Sequence, residues 1–251
     1  FLCNLIFEAS RKKVCVWAWE GNYLQKKWCK MSISTYREQK QVKAILDVMF
    51  MAQFEDKFHS FGPSYMQYRA AVCNWMVDVC RYFKLDACTM HTAISYLDRI
   101  QPDERNDRKT WQMFAITCVV LAAKYSECEE HVPELQSLEE ITQQEISTQF
   151  ILEYELEVLK LLSWELNAYT PLAFVTTFKC LGILFKGDVC VDPSMAKPDG
   201  QPHDNVQGAL SVTLEVLATE TLLDLRFKRY RAHEVAAALV YMGRRHHGVQ
   251  P

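Results

Sequence analysis

Glycine and proline are scarce, with eight of each among 251 residues. That scarcity excludes collagen-like, elastic and low-complexity classes, all of which need an excess of one or the other. Charge of one sign is scarce too. Lys and Arg number 28 against 31 Asp and Glu, a formal net charge of −3. A general nucleic-acid coat carries a strong positive excess instead. No apolar run reaches the roughly 18–20 residues that span a bilayer. The longest, Met113 to Ala123, is interrupted by Thr117 and reads as a buried helix. No lipidation box and no cleavable secretory signal occur, so no membrane partner is expected.

Signatures of chemistry are missing as well. There is no G-x-G-x-x-G, no G-x-x-x-x-G-K-[ST], no G-x-S-x-G and no H-E-x-x-H. His91 and His131 have no second ligand at metal spacing, and His246-His247 stand alone near the end. Glu129-Glu130 and Glu139-Glu140 read as solvated charges at loops or helix starts, where acidic side chains are favourable. The ten cysteines include no C-x-x-C pair. Scattered along helices, they read as small core residues in a reducing compartment. The expectation is therefore no catalytic residue, no metal and no cofactor, with a nuclear or cytoplasmic location.

What the chain does have is apolar material, at 49% of residues against 24% charged, enough to fill a core. Its length suits one large domain or two of about 100 residues. Helical periodicity dominates and strand alternation is almost absent. Prolines punctuate the chain. The spacing predicts helices over Tyr36–Phe58, Ser64–Phe83, Thr89–Ile100, Asn106–Tyr125 and Thr148–Leu162. Ser64 and Thr89 are the expected caps of the second and third. Helices over Pro171–Leu184, Asn205–Asp224 and Ala232–His246 follow, with a polar loop from Lys186 to Asp204. The inward stripe of the second helix is expected at Tyr68, Val72, Trp75, Met76, Val79 and Phe83. Ala122-Ala123 and Ala236-Ala237-Ala238 give each half an Ala-rich third helix, a weak internal repeat of about 130 residues.

Four charges fall on apolar faces. Arg69 sits at the edge of one buried stripe, and Asp98 follows Ile94 by one turn on the next helix. They read as a buried ion pair fixing how two helices cross, or else as two separate snorkelling charges. Lys124 ends the most apolar helix, and Glu155 lies among Ile151, Leu152, Val158 and Leu159. These two read equally as a second internal pair, as exposed helix ends, or as polar anchors that set register at a partner surface.

The residues resemble the cyclin family. Tyr68-Arg69-Ala70-Ala71-Val72-Cys73-Asn74-Trp75-Met76-Val77-Asp78-Val79 is similar to the opening helix of a cyclin box, M-R-A-I-L-V-D-W-L-V-E-V. Tyr96-Leu97-Asp98-Arg99 resembles Y-[IL]-D-R-F, and Leu121-Ala122-Ala123-Lys124-Tyr125-Ser126-Glu127 resembles L-A-[AS]-K-[FY]-E-E. Leu162-Ser163-Trp164-Glu165-Leu166, followed by Thr170-Pro171, resembles the L-x-[FW]-[DE]-L that precedes the second repeat. The resemblance is specific over about residues 60–170 and weaker from 171 onward.

That resemblance implies an all-α protein of two cyclin-fold helical bundles, each of five helices around an enclosed third. The first would be complete, with a leading N-terminal helix, over 34–168. The second, over 169–251, would be truncated. Residues 1–33 would be an extension, spurious or at least outside the fold. The resemblance further implies a regulatory, activating subunit of a cyclin-dependent serine/threonine kinase, with no chemistry of its own. Arg69 and Asp98 would be the family's internal ion pair. Lys124 and Glu155, with Leu121 and Trp164 as apolar neighbours, would bind the kinase. Trp75 and Gln112 match the family's substrate-docking patch, whereas Tyr68, Ala71 and Val72 replace its Met, Ile and Leu, which puts recruitment of R-x-L substrates in doubt. Two other readings stand beside this one: a two-repeat cyclin-fold transcription-factor module, and a partner-binding scaffold that activates no kinase. The first would show salt-dependent DNA binding. The second would return partners but no kinase.

Overall fold

The computed structural model describes residues 36–55, 61–102, 108–142, 146–185, 187–191, 196–197, 200, 202 and 204–250. Among these residues the secondary structure is almost wholly helical. In chain order the helices are α1 Tyr36–Glu55, α2 Pro63–Tyr82, α3 Ala87–Ile100, α4 Arg108–Ser126, α5 Leu135–Ile141, α6 Thr148–Leu161, α7 Pro171–Leu181, α8 Asp204–Leu223 and α9 Ala232–His246. Two strands, β1 Val189–Cys190 and β2 Val249–Gln250, pair antiparallel. The expected extension over 1–33 lies outside the described residues.

The chain divides into two compact units. One holds residues 58–170, and the other holds the leading helix with residues 171–251. Helix α1 packs against α7. Val42, Leu46, Met49 and Phe50 form its buried stripe, and the Phe50 ring lies 5.5 Å from that of Phe174.

In the unit spanning 58–170, α4 is the enclosed element. From Met113 to Ala123 every side chain is buried, and α2, α3 and α6 pack around it. A helix apolar on all sides is stable only when other helices cover it. Small residues at Ala115, Ala122 and Ala123 keep those neighbours close. Cys73, Cys80 and Cys118 are buried in the same core. Burial, helped by the charge of Glu127, pushes the Cys80 thiol up to about 12.

Helix ends differ from expectation in instructive ways. Gly62, not Ser64, is the N-cap of α2, because Pro63 takes the first helical position. Its fixed φ suits that place, and its missing N–H would be unsatisfied there anyway. Asp86, not Thr89, caps α3, accepting from the Cys88 amide at 2.7 Å. Thr89 donates its hydroxyl to Glu127, 2.7 Å away, and the same carboxylate oxygen takes the Asp86 amide at 2.7 Å. Glu127 therefore ties the end of α4 to the start of α3. Helix α2 closes through left-handed Lys84, with the Leu85 amide donating to the Cys80 carbonyl at 2.9 Å. Helix α5 was not foreseen. It buries only Leu138, and seven residues are too few for a readable period.

The inward face of α2 is also rotated from the predicted stripe. Tyr65, Arg69, Cys73, Met76 and Cys80 are buried, Val72 and Trp75 are half-buried, and Tyr68 is exposed. Arg69 thus stands in the middle of the buried face. A stripe judged on apolar residues alone passes over a cation whose partner lies on another helix.

In the other unit, α9 packs against α7 and α8. A Cβ at Gly243 would lie 2.8 Å from Leu210 Cδ1 and 3.0 Å from Leu214 Cδ2, so glycine is what allows α9 to cross α8 so closely. Helix α7 stops at Leu181, before left-handed Gly182, rather than at Leu184.

Candidate partner-docking surface

Lys124 lies in the last turn of α4, where a cation complements the helix dipole. Glu155 lies midway along α6. The Lys124 ammonium donates to both Glu155 carboxylate oxygens, at 2.7 and 2.8 Å. The pair is at the surface, with the Lys124 side chain 43% exposed and that of Glu155 18%. An exposed pair of this kind contributes about 0–1 kcal/mol to folding. Apolar groups surround it. Leu152 and Leu156 are exposed on the same face of α6 as Glu155, with half-buried Leu159 one turn on. Nearer the start of α6, exposed Phe150 carries the Lys109 ammonium 5.4 Å above its ring.

Trp164 follows the end of α6 and is 63% exposed. The Asn167 side chain, three residues on, accepts from the Tyr125 hydroxyl at 2.8 Å, which holds this turn beside the end of α4. Leu121 differs from the other three. It is only 4% exposed and belongs to the core beneath Lys124. The surface of α4 and α6 thus presents an ammonium paired with a carboxylate and two exposed leucines, and the turn after α6 exposes an indole.

Arg69 and Asp98 lie inside. Arg69 Nε donates to Asp98 Oδ1 at 2.6 Å, its Nη2 to Oδ2 at 3.0 Å, and the Tyr65 hydroxyl to Oδ1 at 2.7 Å. Two parallel bonds to one carboxylate fix both distance and plane. Burial alone would lower the Arg69 pKa, but the hydrogen bond and charge of Asp98 outweigh it and hold the guanidinium protonated. Burial and the Asp98 charge push the Tyr65 phenol well up, so it serves as a donor.

The third predicted set surrounds α2. Tyr68 and Ala71 are exposed, Val72 and Trp75 half-buried, and these four share one helix face. The Tyr68 ring meets the edge of Trp111, centroids 5.9 Å apart. Gln112, next to Trp111 on α4, has a buried Oε1 with no hydrogen-bond partner. No group of three metal-ligating residues occurs among the described residues.

This arrangement matches a known family. The model of the cyclin N-terminal domain matches residues 32–167. The chain belongs to the cyclin family. It is 26% identical over 196 residues to the Cyclin-D of Ostreococcus tauri, covering 77% of this chain and 51% of that protein. It is 28% identical over 176 residues to Cyclin-A1-2 of Arabidopsis thaliana, covering 69% and 35% respectively. Over 117 residues it is 29% identical to the G1/S-specific cyclin-E1 of Danio rerio, 46% of this chain and 28% of that one. The chain thus spans about half or less of the length of these curated relatives. Among solved structures, a viral cyclin from herpesvirus saimiri superposes with a TM-score of 0.53 at 16% identity, covering 72% of this chain and 74% of that one.

The candidate kinase-binding, ion-pair and substrate-docking residues drawn from the sequence all lie inside the stretch that matches the cyclin domain. Two functional-looking features escaped that reading. Tyr96 and Arg99 bond the backbone of the turn that carries Trp164. Their targets are carbonyl groups, which leave no mark in a side-chain pattern. In the C-terminal unit, Arg244 and Asp188 form a buried pair at 2.7 Å, 56 positions apart in the sequence. The Arg244-Arg245 doublet was visible, but its acidic partner stood in a loop with no period.

Proposed function

We propose that this cyclin is the activating regulatory subunit of a cyclin-dependent protein kinase, and that it docks the kinase C-helix on the α4–α6 surface. The observation that carries the reading is the Lys124–Glu155 pair at the surface, with exposed Leu152 and Leu156 on the same face of α6 and exposed Trp164 in the turn that follows this helix. Desolvated charges beside apolar ground set register and orientation at an interface, while aromatic anchors supply most of the affinity.

The mechanism is a shift of populations. A kinase of this class is active only when its C-helix brings a glutamate to the catalytic lysine. A rigid helical surface that binds the inward position of that helix better than the outward one favours the active state by the difference in affinity. The buried Arg69–Asp98 pair keeps α2 and α3 in register behind that surface. No bond is made or broken by the cyclin, and the pair of proteins works wherever the kinase does, in nucleus or cytoplasm. Recruitment of kinase substrates would fall to the Tyr68, Ala71, Val72, Trp75 and Gln112 face of α2 and α4.

The test is Lys124→Ala combined with Glu155→Ala. The double change should abolish co-purification with a cyclin-dependent kinase while far-ultraviolet circular dichroism stays unchanged. Retained kinase activity on a histone substrate would show that the docking surface lies elsewhere.

A further inference from the structure

Helix α6 does not simply fray. After Leu162 the chain takes two successive left-handed residues, Ser163 at φ 54° and Trp164 at φ 59°. Residues with a Cβ rarely adopt this conformation, and a bulky indole is a marked case. Local bonds close the turn: Ser163 N–H to Lys160 O at 2.9 Å, Trp164 N–H to Leu159 O at 2.8 Å and Glu165 N–H to Leu162 O at 3.0 Å.

A second set reaches in from α3. Arg99 donates from Nη1 to the Glu165 carbonyl at 2.7 Å and from Nη2 to the Leu162 carbonyl at 3.1 Å. The buried Tyr96 donates its hydroxyl to the Leu166 carbonyl at 2.6 Å. The Leu162 carbonyl stands at the end of α6, where a cation is favourable, and those of Glu165 and Leu166 lie in the turn beyond it. One guanidinium therefore grips the turn on both sides of Trp164, and one phenol anchors it two residues later.

The indole gains nothing visible from this for the fold. Its side chain points to solvent, with more than half of its surface uncovered. A disfavoured backbone held from outside, with a large exposed aromatic at its tip, is a preorganised anchor. Fixing an anchor beforehand removes the ordering cost that binding would otherwise carry.

We infer that Arg99 and Tyr96 are positioning residues for partner binding, clamping the α6 turn so that Trp164 is presented ready-made beside Lys124 and Glu155. The inference rests on the docking reading above, and two measurements separate its failure from a failure of that reading.

The first uses the free protein, labelled with 5-fluorotryptophan and with the Trp164 resonance assigned by Trp164→Phe. Arg99→Ala and Tyr96→Phe should each shift or broaden that resonance in the folded chain. An unchanged resonance in both overturns the clamp, whatever the partner. The second measures affinity for purified monomeric cell-cycle cyclin-dependent kinases, using the kinase that the parent chain binds most tightly. Arg99→Ala should weaken binding about tenfold, and Tyr96→Phe, the milder change, about threefold. In a Trp164→Ala background both effects should shrink below about twofold, because residues that act through Trp164 have nothing left to position. Equal losses in both backgrounds overturn the positioning role and leave a structural one. Should Trp164→Ala itself leave affinity unchanged, the proposal falls together with the place of Trp164 in the docking surface. A parent chain that binds no kinase overturns the docking reading and this inference with it.

Discussion

Arg69 and Asp98 meet through two parallel hydrogen bonds, 2.6 and 3.0 Å long, with both side chains shut away from solvent. Asp98→Asn keeps the shape of the site but leaves a cation in the core. Removing one member of a buried pair costs about 3–5 kcal/mol, because the survivor stays charged and desolvated. The loss should appear as a lowered urea midpoint. The double change Arg69→Met, Asp98→Leu should restore most of it, since an apolar pair of similar volume has no charge to strand. A shift under about 1 kcal/mol for Asp98→Asn would mean that water reaches the site.

Arg244 and Asp188 form the corresponding buried contact in the C-terminal unit. Asp188 accepts from Arg244 Nη2 at 2.7 Å and from the Phe185 amide at 2.7 Å, while Arg244 Nη1 donates to the Ile183 carbonyl at 2.8 Å. The guanidinium also lies 4.8 Å from the centroid of the Phe185 ring. Arg244 therefore pins the loop after α7 onto the last turn of α9. Arg244→Met should destabilise by about 3 kcal/mol. Amide hydrogen exchange should rise first at residues 183–190, where the loop loses its anchor. Uniform exchange across α7, α8 and α9 would show instead that the pair supports the whole unit.

The helices were legible because α3, α4 and α6 each combine an apolar period with a bounded length. Met90, Ala93, Ile94 and Leu97 were read as inward, and all four are buried. The four apolar-face charges were legible for the complementary reason, since a charge inside an apolar stripe breaks the pattern. What the sequence hid depends on the backbone. The clamp on Trp164 binds carbonyls, the cap at Asp86 follows from how α2 closes, and the β1–β2 ribbon joins Val189 to Gln250 and Cys190 to Val249, far apart in the sequence. That Leu121 is only 4% exposed was not legible either, because helical position alone does not tell which neighbour covers a side chain.

His233 links pH to stability. Its ring lies 4.9 Å from Phe50 and 6.1 Å from Phe174, and its amide donates to Gln53 Oε1. Burial lowers its pKa, with Glu234 opposing and Arg231 reinforcing. His247 is lowered too, by burial and by His246. A base depressed in the folded state binds fewer protons there than when unfolded, so stability rises with pH across the window. The contribution is complete above the ordinary histidine value of about 6.5, declines as the pH falls below it, and levels off beneath the folded value. Urea midpoints taken between pH 7.5 and 5.5 should fall in the parent chain. His233→Gln should flatten that slope, whatever its constant offset from lost packing. An unaltered slope would assign the effect to other groups.

The Lys124–Glu155 bridge can be separated from its proposed use by exchanging its ends. Lys124→Glu with Glu155→Lys rebuilds an ion pair across the same two helices. Its cost is confined to an anion in the last turn of α4, about 0.3–1 kcal/mol against the helix dipole. The urea midpoint should therefore move by no more than about 1 kcal/mol in free energy. On the proposed docking, however, a kinase surface would now meet the opposite signs, and like charges brought together there are strongly unfavourable. Affinity should fall at least about tenfold, with the loss shrinking as salt screens the exposed charges. A bridge that only holds α4 to α6 would tolerate the exchange in both measurements, and unchanged binding would remove this pair from the docking surface.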